Sequence, residues 1–98
     1  MTHSDTELHN NILNATGVFR ALAHPIRLDI IITLASFDMS VNSLAETLEL
    51  PQPKLSKHLA ILSQADLIQM KAQGRSHIFS LKNPELISSL IDLISDRL

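Results

Sequence analysis

One segment of this chain, residues 43–81, constrains its fold more than any other, because two short helical patterns meet there at a tight joint and a strand–turn–strand pattern follows directly. Leu55, Leu59 and Leu62 recur at helical spacing in the second of these helices. Gly74 marks the hairpin turn. The order is therefore helix, turn, helix and hairpin, that is, a helix-turn-helix followed by a wing. The predicted elements are helices over residues 42–48 and 53–64 and strands over residues 67–71 and 77–81.

Three further helices complete the predicted fold. His24-Pro25 separates a first helix from a second, central one that is apolar nearly all round. Residues 37–40 are a loop or a short extended piece, and Ser40 or Asn42 caps the third helix. The fold class is mainly α with a small β-hairpin, in the order helix, helix, helix, helix, strand, strand, helix. The three further helices are predicted over residues 6–23, 25–36 and 84–97.

The distribution of charge favours DNA as a partner. The whole chain has a net charge of −2, but residues 52–82 carry five basic residues against Asp66 alone, a net charge of +4, and the rest of the chain carries −6. A second helix of this size fits the major groove, and a hairpin fits the neighbouring backbone or minor groove. The positive charge thus lies where a phosphate-binding face is expected. These basic residues are Lys54, Lys57, Lys71, Arg75 and Lys82.

The last helix, residues 84–98, is too apolar to bury both of its apolar rows against so small a domain. Either one row is core and the other is loosely exposed, or the exposed row is a subunit interface that the first helix joins. We favour a homodimer through these two helices, which also fits DNA that reads as an inverted repeat. Residues 1–98 then form a single winged-helix domain with a flexible tail at residues 1–5. The predicted interface residues are Leu8, Ile12, Leu86, Ile87, Leu90, Ile91 and Ile94.

Composition argues against several other classes of function. The chain has no cysteine, which removes disulfides, thiolate metal sites and cysteine nucleophiles. No signal peptide and no apolar run of membrane-spanning length is evident, so we expect a cytoplasmic protein. Gly17 and Gly74 are the only glycines, which leaves no glycine-rich phosphate loop. Because no serine–histidine pair has a supporting pocket either, we predict that the protein is not an enzyme.

Three blocks of the sequence resemble the ArsR/SmtB family of small dimeric winged-helix repressors. They are FRALAHPIRLDII at residues 19–31, SVNSLAETLELPQPKLSKHLAIL at residues 40–62 and QGRSHIFSL at residues 73–81. The blocks have the family's order and spacing, and the resemblance spans most of the chain, from residue 19 to residue 81. The resemblance implies a repressor of a linked operon and a bound signal, often a metal ion, that weakens the DNA complex.

Residues at the start of the second helix of the pair are the candidates for base contact, because only the N-terminal part of such a helix normally reaches base edges. A glutamine at position 52 suits adenine, and a lysine at position 57 suits guanine. Backbone amides at the start of the third helix can meet a phosphate, and the arginine at the wing tip can contact the minor groove or a phosphate. The predicted DNA-binding residues are Val41, Asn42, Gln52, Pro53, Lys54, Ser56, Lys57, His58 and Arg75.

Several of these residues have a structural alternative that the sequence leaves open. Gln52 can instead be a helix cap, while Ser56 and Lys57 can belong to a solvated helix face. Arg75 can be an ordinary exposed hairpin arginine. His58, near the edge of the core, is favoured as a structural or phosphate-contacting residue over a metal ligand.

The metal-binding residues that the resemblance would imply are not present. Residues 40–45 contain no Cys-x-Cys pair, and the last helix offers Asn83, Glu85, Asp92 and Asp96 without histidine. We therefore predict no metal and no cofactor, and the inducer remains open: an organic molecule, a partner protein, a proton or none. The alternative function is a winged-helix interaction module whose apolar last helix docks a partner.

Overall fold

A computed structural model describes residues 5–95, which form five helices and a small antiparallel sheet. The types and order of the predicted elements are confirmed, and their bounds agree to within two residues. The predicted end of the last helix at Arg97 and residues 1–4 of the predicted tail lie outside the described residues. Asp5, also part of the predicted tail, instead begins the first helix. The elements are α1 (Asp5–Leu22), α2 (Pro25–Ser36), β1 (Met39–Ser40), α3 (Val41–Leu48), α4 (Gln52–Gln64), β2 (Ile68–Gln73), β3 (Ser76–Leu81) and α5 (Pro84–Ser95).

Local side-chain signals set where α2 and α3 begin. His24 caps α2, because its Nδ1 accepts a hydrogen bond at 3.1 Å from the backbone N–H two residues on. Pro25 then occupies the first helical position, where no N–H is needed. Ser40 caps α3, since its Oγ accepts a hydrogen bond at 3.1 Å from the N–H of Ser43. Of the two caps predicted for α3, Ser40 is the one used, and Asn42 lies inside the helix.

The predicted hairpin is confirmed, and the sheet has a third strand, β1, which lies in the segment 37–40 predicted as a loop or a short extended piece. β1 pairs antiparallel with β3, with Met39 opposite Phe79 and Ser40 opposite Ile78, and the strand order is β1-β3-β2. A strand of two residues shows no usable periodicity in the sequence. The pairing supplies partners for backbone groups on the second edge of β3. Because Ser40 also caps α3, it joins the sheet directly to the helix-turn-helix.

The wing consists of β2, β3 and the turn between them. The register of the two strands ends with Gln73 opposite Ser76, which leaves Gly74 and Arg75 as a two-residue loop. Gly74 has a φ of +62°. A glycine at the first position of a two-residue hairpin loop accommodates this conformation without steric cost. The arginine that follows is thereby presented at the tip of the wing.

The core forms around α2, which packs against the four other helices and against β3. This confirms the prediction of a central helix. Its Ile30 and Ile31 are fully buried. The three leucines that recur in α4 are also buried, so the spacing predicted its inner face correctly. The buried hydrophobic residues are Ala21, Leu22, Ile30, Ile31, Leu34, Leu44, Leu55, Leu59, Leu62, Leu67, Ile68, Leu81 and Ile87.

Helices α1 and α5 leave apolar side chains uncovered on the protomer. Every residue of α1 from position 5 to position 17 is exposed. On α5, Ile87 is 1% exposed and belongs to the protomer core, so its predicted place in the interface is corrected. Leu90 and Ile91 are half-buried against that core. The exposed set, called the α1/α5 apolar face below, consists of Leu8, Ile12, Leu13, Phe19, Leu86 and Leu93.

No helix among residues 5–95 combines the length and the apolar character needed to cross a membrane.

Two neighbouring residues of α4 provide a test of this packing. Leu62 has no exposed surface, whereas Ile61 is 39% exposed. We expect Leu62→Ala to lower the free energy of unfolding by about 2–5 kcal/mol, because it removes buried methyl groups and leaves a cavity. The matched change Ile61→Ala is expected to cost less than about 1 kcal/mol. Urea unfolding followed by circular dichroism, at one protein concentration, measures both; equal losses would contradict the assigned orientation of α4.

Candidate nucleic-acid interface

Helix α4 has one buried face and one exposed polar face. The buried face holds its three core leucines. The residues predicted to contact DNA at the start of the helix all lie on exposed positions. The helix therefore presents side chains of hydrogen-bonding, cationic and apolar character on one accessible surface. These residues are Gln52, Pro53, Lys54, Ser56 and Lys57.

The joint between α3 and α4 is fixed by backbone and side-chain contacts. Glu49 ends α3 in the left-handed conformation, with a φ of 55°, and the N–H of Leu50 donates to the carbonyl of Ala45 at 2.9 Å. The amide of Gln52 donates through Nε2 to Oδ1 of Asn42, which connects the beginnings of the two helices. Pro51 is the N-cap of α4 and provides no side-chain hydrogen bond. Gln52 is thus not a helix cap, the structural alternative that the sequence left open.

Charge on this side of the molecule is more localised than the sequence count suggests. At the base of the wing, Nζ of Lys82 lies 2.5 Å from Oδ1 of Asp66. This ion pair neutralises the only acidic residue of the region, but it also neutralises Lys82. The other four basic residues of the region are exposed and form no ion pair within residues 5–95. The uncompensated charge therefore belongs to Lys54, Lys57, Lys71 and Arg75.

A mostly apolar hollow of about 410 Å³ lies between α4 and the wing. Ser56 and Ala60 line it from α4, and Met70 and His77 line it from the wing. Val41, a predicted phosphate contact, is half-buried and lines the same hollow from the start of α3. The helix and the wing are consequently two separate projections from the body of the domain.

His58 occupies a different position from its neighbours on α4. It is half-buried, its ring centroid lies 4.5 Å from that of His24, and its Nδ1 lies 3.2 Å from Nη1 of Arg27. Burial, followed by the charges of His24, Arg27 and Lys54, lowers the pKa of His58 below its usual value of about 6.5. The structure thus directs His58 toward the body of the domain, as the structural interpretation of this residue requires.

The described residues do not fit a metal site of the kind that the resemblance implies. Within residues 5–95, no three His, Cys, Asp or Glu side chains are grouped closely enough to hold a metal ion. Asn83 at the start of α5 accepts a hydrogen bond through Oδ1 from the N–H of Leu86 at 3.2 Å and thus serves as a helix cap. Asp96 lies outside the described residues. The donors in the described part of α5 lack the imidazole and thiolate groups that select zinc, nickel or cobalt.

Several residues that belong to the exposed apolar face or contact His58 were not predicted from the sequence. Leu13, Phe19 and Leu93 belong to the exposed α1/α5 apolar face but were not among the predicted interface residues. Their helical spacing was a usable signal, since Leu86 and Leu93 are seven residues apart. Arg27 reaches His58 across 31 positions of sequence, and no local pattern predicts a contact of that kind.

The fold and the exposed, basic face of α4 define a winged helix-turn-helix domain. Residues 24–70 match the model of the bacterial regulatory protein family arsR. Over 88 residues, 90% of this chain and 81% of the relative, the sequence is 31% identical to the transcriptional activator HlyU of Vibrio cholerae. The chain therefore belongs to the arsR family of transcriptional regulators.

Individual relatives and structures agree with this assignment. The chain is 34% identical over 85 residues to the transcriptional repressor SmtB of Mycobacterium tuberculosis, and this match spans 86% of the chain but only 63% of the length of SmtB. The structure of reduced HlyU from Vibrio cholerae superposes with a TM-score of 0.79 at 30% identity, covering 90% of this chain and 92% of that one. The homodimeric winged helix-turn-helix domain of Mb0332 from Mycobacterium bovis shares the fold, with a TM-score of 0.85 at 19% identity over 98% of this chain and 91% of that one.

Proposed function

We propose that this protein is a sequence-specific DNA-binding transcriptional regulator that binds an inverted-repeat operator as a homodimer. The observation that carries the proposal is the exposed face of α4, where uncompensated lysines and hydrogen-bonding side chains project beside a wing tipped by Arg75. This combination supplies both phosphate attraction and base contact. The names of SmtB, a repressor, and HlyU, an activator, support regulation of transcription.

Each exposed residue of α4 has a role in this proposal that follows from its chemistry. Gln52, Ser56 and Lys57 contact base edges in the major groove, where a lysine suits the acceptors of guanine. Pro53 has no N–H to donate and contributes shape or methyl contact. Lys54, at the flank of the helix, contacts phosphate.

The remaining DNA contacts come from the two elements that flank α4. Arg75, at the wing tip, contacts the minor groove or a phosphate. Val41 and Asn42 at the start of α3 contribute backbone amides to a phosphate. His58 does not contact the DNA directly in this proposal. Its half-buried ring supports α4 from behind the exposed face.

The α1/α5 apolar face is the proposed dimer interface, with residues 84–98 as the dimerisation helix. An uncovered apolar surface of this kind marks a partner site. On α1, Phe19 is 65% exposed, and it lines an entirely apolar groove of about 220 Å³ together with Leu86 and Leu90 of α5. Mb0332, which shares the fold, is homodimeric. A two-fold axis between the copies places the two α4 helices on half-sites about one helical turn apart.

Repression by occluding a promoter is the mechanism that we propose, and it operates in the cytoplasm. The signal that releases the DNA acts by binding more tightly to the DNA-free form of the dimer than to the DNA-bound form. The alternative, an interaction module with an incidental basic face, is less favoured, because four uncompensated basic residues collect on the helix and wing and the comparisons identify a family of regulators.

Selection from random-sequence DNA tests the proposed function. We expect repeated selection of duplexes by the purified protein to enrich an inverted repeat, and fluorescence anisotropy to show roughly a thousandfold or greater preference for that operator over scrambled DNA. Binding should weaken as salt rises, because phosphate contacts release counterions. Selection without enrichment, with equal affinities for every duplex, would refute sequence-specific regulation and favour the interaction module.

Charge variants test the assigned face in the same assay. Lys57→Ala is expected to weaken operator binding, to relax base preference at one position and to reduce the salt slope by about 1 per half-site. Arg75→Ala is expected to weaken binding and to reduce the slope similarly. Lys82→Ala is the matched control, because it lowers the net charge by the same amount at the base of the wing, outside the proposed contact residues. Loss of affinity in the control alone would show that the DNA-binding face has been assigned wrongly.

Two phenylalanines of similar exposure test the interface. Phe19 belongs to the α1/α5 apolar face and is 65% exposed, while Phe37 follows α2 and is 69% exposed. We expect Phe19→Glu to shift the mass in sedimentation equilibrium from twice the chain mass of 10.9 kDa toward that mass itself. Phe37→Glu should leave the dimer intact. A wild-type monomer, or a dimer disrupted only by Phe37→Glu, would exclude the proposed interface.

A further inference from the structure

Arg27 lies at a junction where three helices meet. It is the third residue of α2, and its side chain extends back to the end of α1, where Nε donates to the carbonyl of Ala21 at 2.5 Å and Nη2 donates to the carbonyl of Arg20 at 3.4 Å. The last carbonyls of a helix have no partners within the helix, and a cation there is favourable. Arg27 thus closes the carboxyl end of α1, which carries part of the α1/α5 apolar face.

The remaining terminal nitrogen of Arg27, Nη1, is directed at α4. Nη1 lies 3.2 Å from Nδ1 of His58. A guanidinium group can only donate hydrogen bonds, so Nδ1 must be the acceptor and the proton of the neutral imidazole must be on Nε2. His24 lies beside the His58 ring, with 4.5 Å between the two ring centroids. The Nδ1 of His24 is itself occupied as the cap of α2.

This hydrogen bond restrains α4 in a way that its apolar contacts do not. Packing of the buried leucines resists separation of the helices but has no preferred direction, whereas a hydrogen bond weakens steeply when its angle changes. His58 follows Ser56 and Lys57 directly in the helix. Any rotation of α4 about its axis that breaks the bond also re-aims those two exposed side chains.

We infer that Arg27 is a positioning residue for DNA recognition: it fixes α4 against the end of α1 through a hydrogen bond that only unprotonated His58 can accept, so acidification reduces the preference of the protein for its operator. The inference rests on the proposed function, because it concerns the aim of residues assigned there to base contact. It also assigns a route by which α1, a part of the proposed dimer interface, is connected to α4.

The direction of the pH effect follows from the groups around the imidazole. His24 and Arg27 face it from the α1–α2 junction, and Lys54 faces it from one turn earlier in α4; burial and these charges lower the pKa of His58. The folded state thus favours the neutral ring more than the unfolded chain does. The contribution of His58 to the free energy of unfolding is complete above about pH 6.5. It is lost as the pH falls through the lower pKa that His58 has in the folded state.

The decisive quantity is the ratio of affinities for the selected operator and for scrambled DNA. Protonation adds positive charge that tightens binding to any duplex, so either affinity alone is ambiguous while the ratio is not. For the wild-type protein we expect the ratio to fall roughly tenfold between about pH 7.5 and about pH 5.5, as one hydrogen bond to a charged group is lost. Circular dichroism at each pH verifies that the protein is folded.

Two substitutions at one position separate positioning from a purely structural role. His58→Asn places its Oδ1 where Nδ1 stands, so it accepts the bond from Arg27 but cannot be protonated. We expect a ratio close to that of the wild type at neutral pH and no fall in acid. His58→Gln places its amide farther out, at the position of Nε2, and is expected to have a low ratio at both pH values.

Two further variants complete the design. Arg27→Lys has a single ammonium nitrogen, which cannot occupy the separate positions from which Nε and Nη1 bond to Ala21 and His58. A low ratio at both pH values is expected. His24→Asn retains an acceptor for the cap of α2 but does not titrate. It should keep the fall of the ratio in acid and move that fall to higher pH, because the charge of His24 no longer lowers the pKa of His58. If Arg27→Lys does not fold, the pair at position 58 still decides the question.

Nuclear magnetic resonance provides a readout that is independent of DNA. The imidazole nitrogen shifts of neutral His58 should report the tautomer with the proton on Nε2. A proton on Nδ1, or a wild-type ratio that does not change with pH and equals that of His58→Gln, would overturn the inference and leave the proposed function intact. Absence of any preference for the selected operator would instead overturn the proposed function, and the inference with it.

Discussion

Burial of Leu55, Leu59 and Leu62 is the interaction on which the rest of the structure depends. Their spacing places them on one face of α4, where each contributes about 1.5–3 kcal/mol by leaving water. With that face turned inward, the polar residues between them lie on the outer face of the helix, except His58, which is half-buried. The same leucines hold α4 against α2, which contacts every other helix. A surface able to contact DNA is therefore a geometric consequence of how the core packs.

The distribution of charge over the chain is a second determinant of the exposed face of α4, beside the packing of the core. An acidic chain would be repelled by DNA if its charge were spread evenly. Here the acidic residues lie mostly outside residues 52–82, and the one inside that range is paired with Lys82 at the base of the wing. Positive charge without a local partner remains on α4 and the wing. In the proposed function, approach to DNA is therefore governed by the local field of this face rather than by the net charge of the protein.

Much of the fold could be predicted from sequence because its signals are local. Pro25 at a helix start, Ser40 as a cap and the leucine spacing of α4 each depend on residues within a few positions. The rest depends on tertiary context. The rotation of α5 decides that Ile87 is buried while Leu86 is exposed, β1 exists only because β3 lies beside it, and Arg27 meets His58 across 31 positions. Side-chain roles at the candidate DNA face remain predictions, since they depend on a partner as well as on the fold.

The exposed first turns of α1 have a consequence for how the protein responds to its own abundance. An isolated helical segment of this length is marginal in water, because the nucleation cost is offset only by burial of an apolar face. In the proposed dimer, ordering of α1 and association of the two copies are one thermodynamic event. The concentration of DNA-binding species then varies with the square of the monomer concentration when monomer predominates. Occupancy of an operator would therefore rise with a threshold, so that small changes in synthesis or degradation have disproportionate effects.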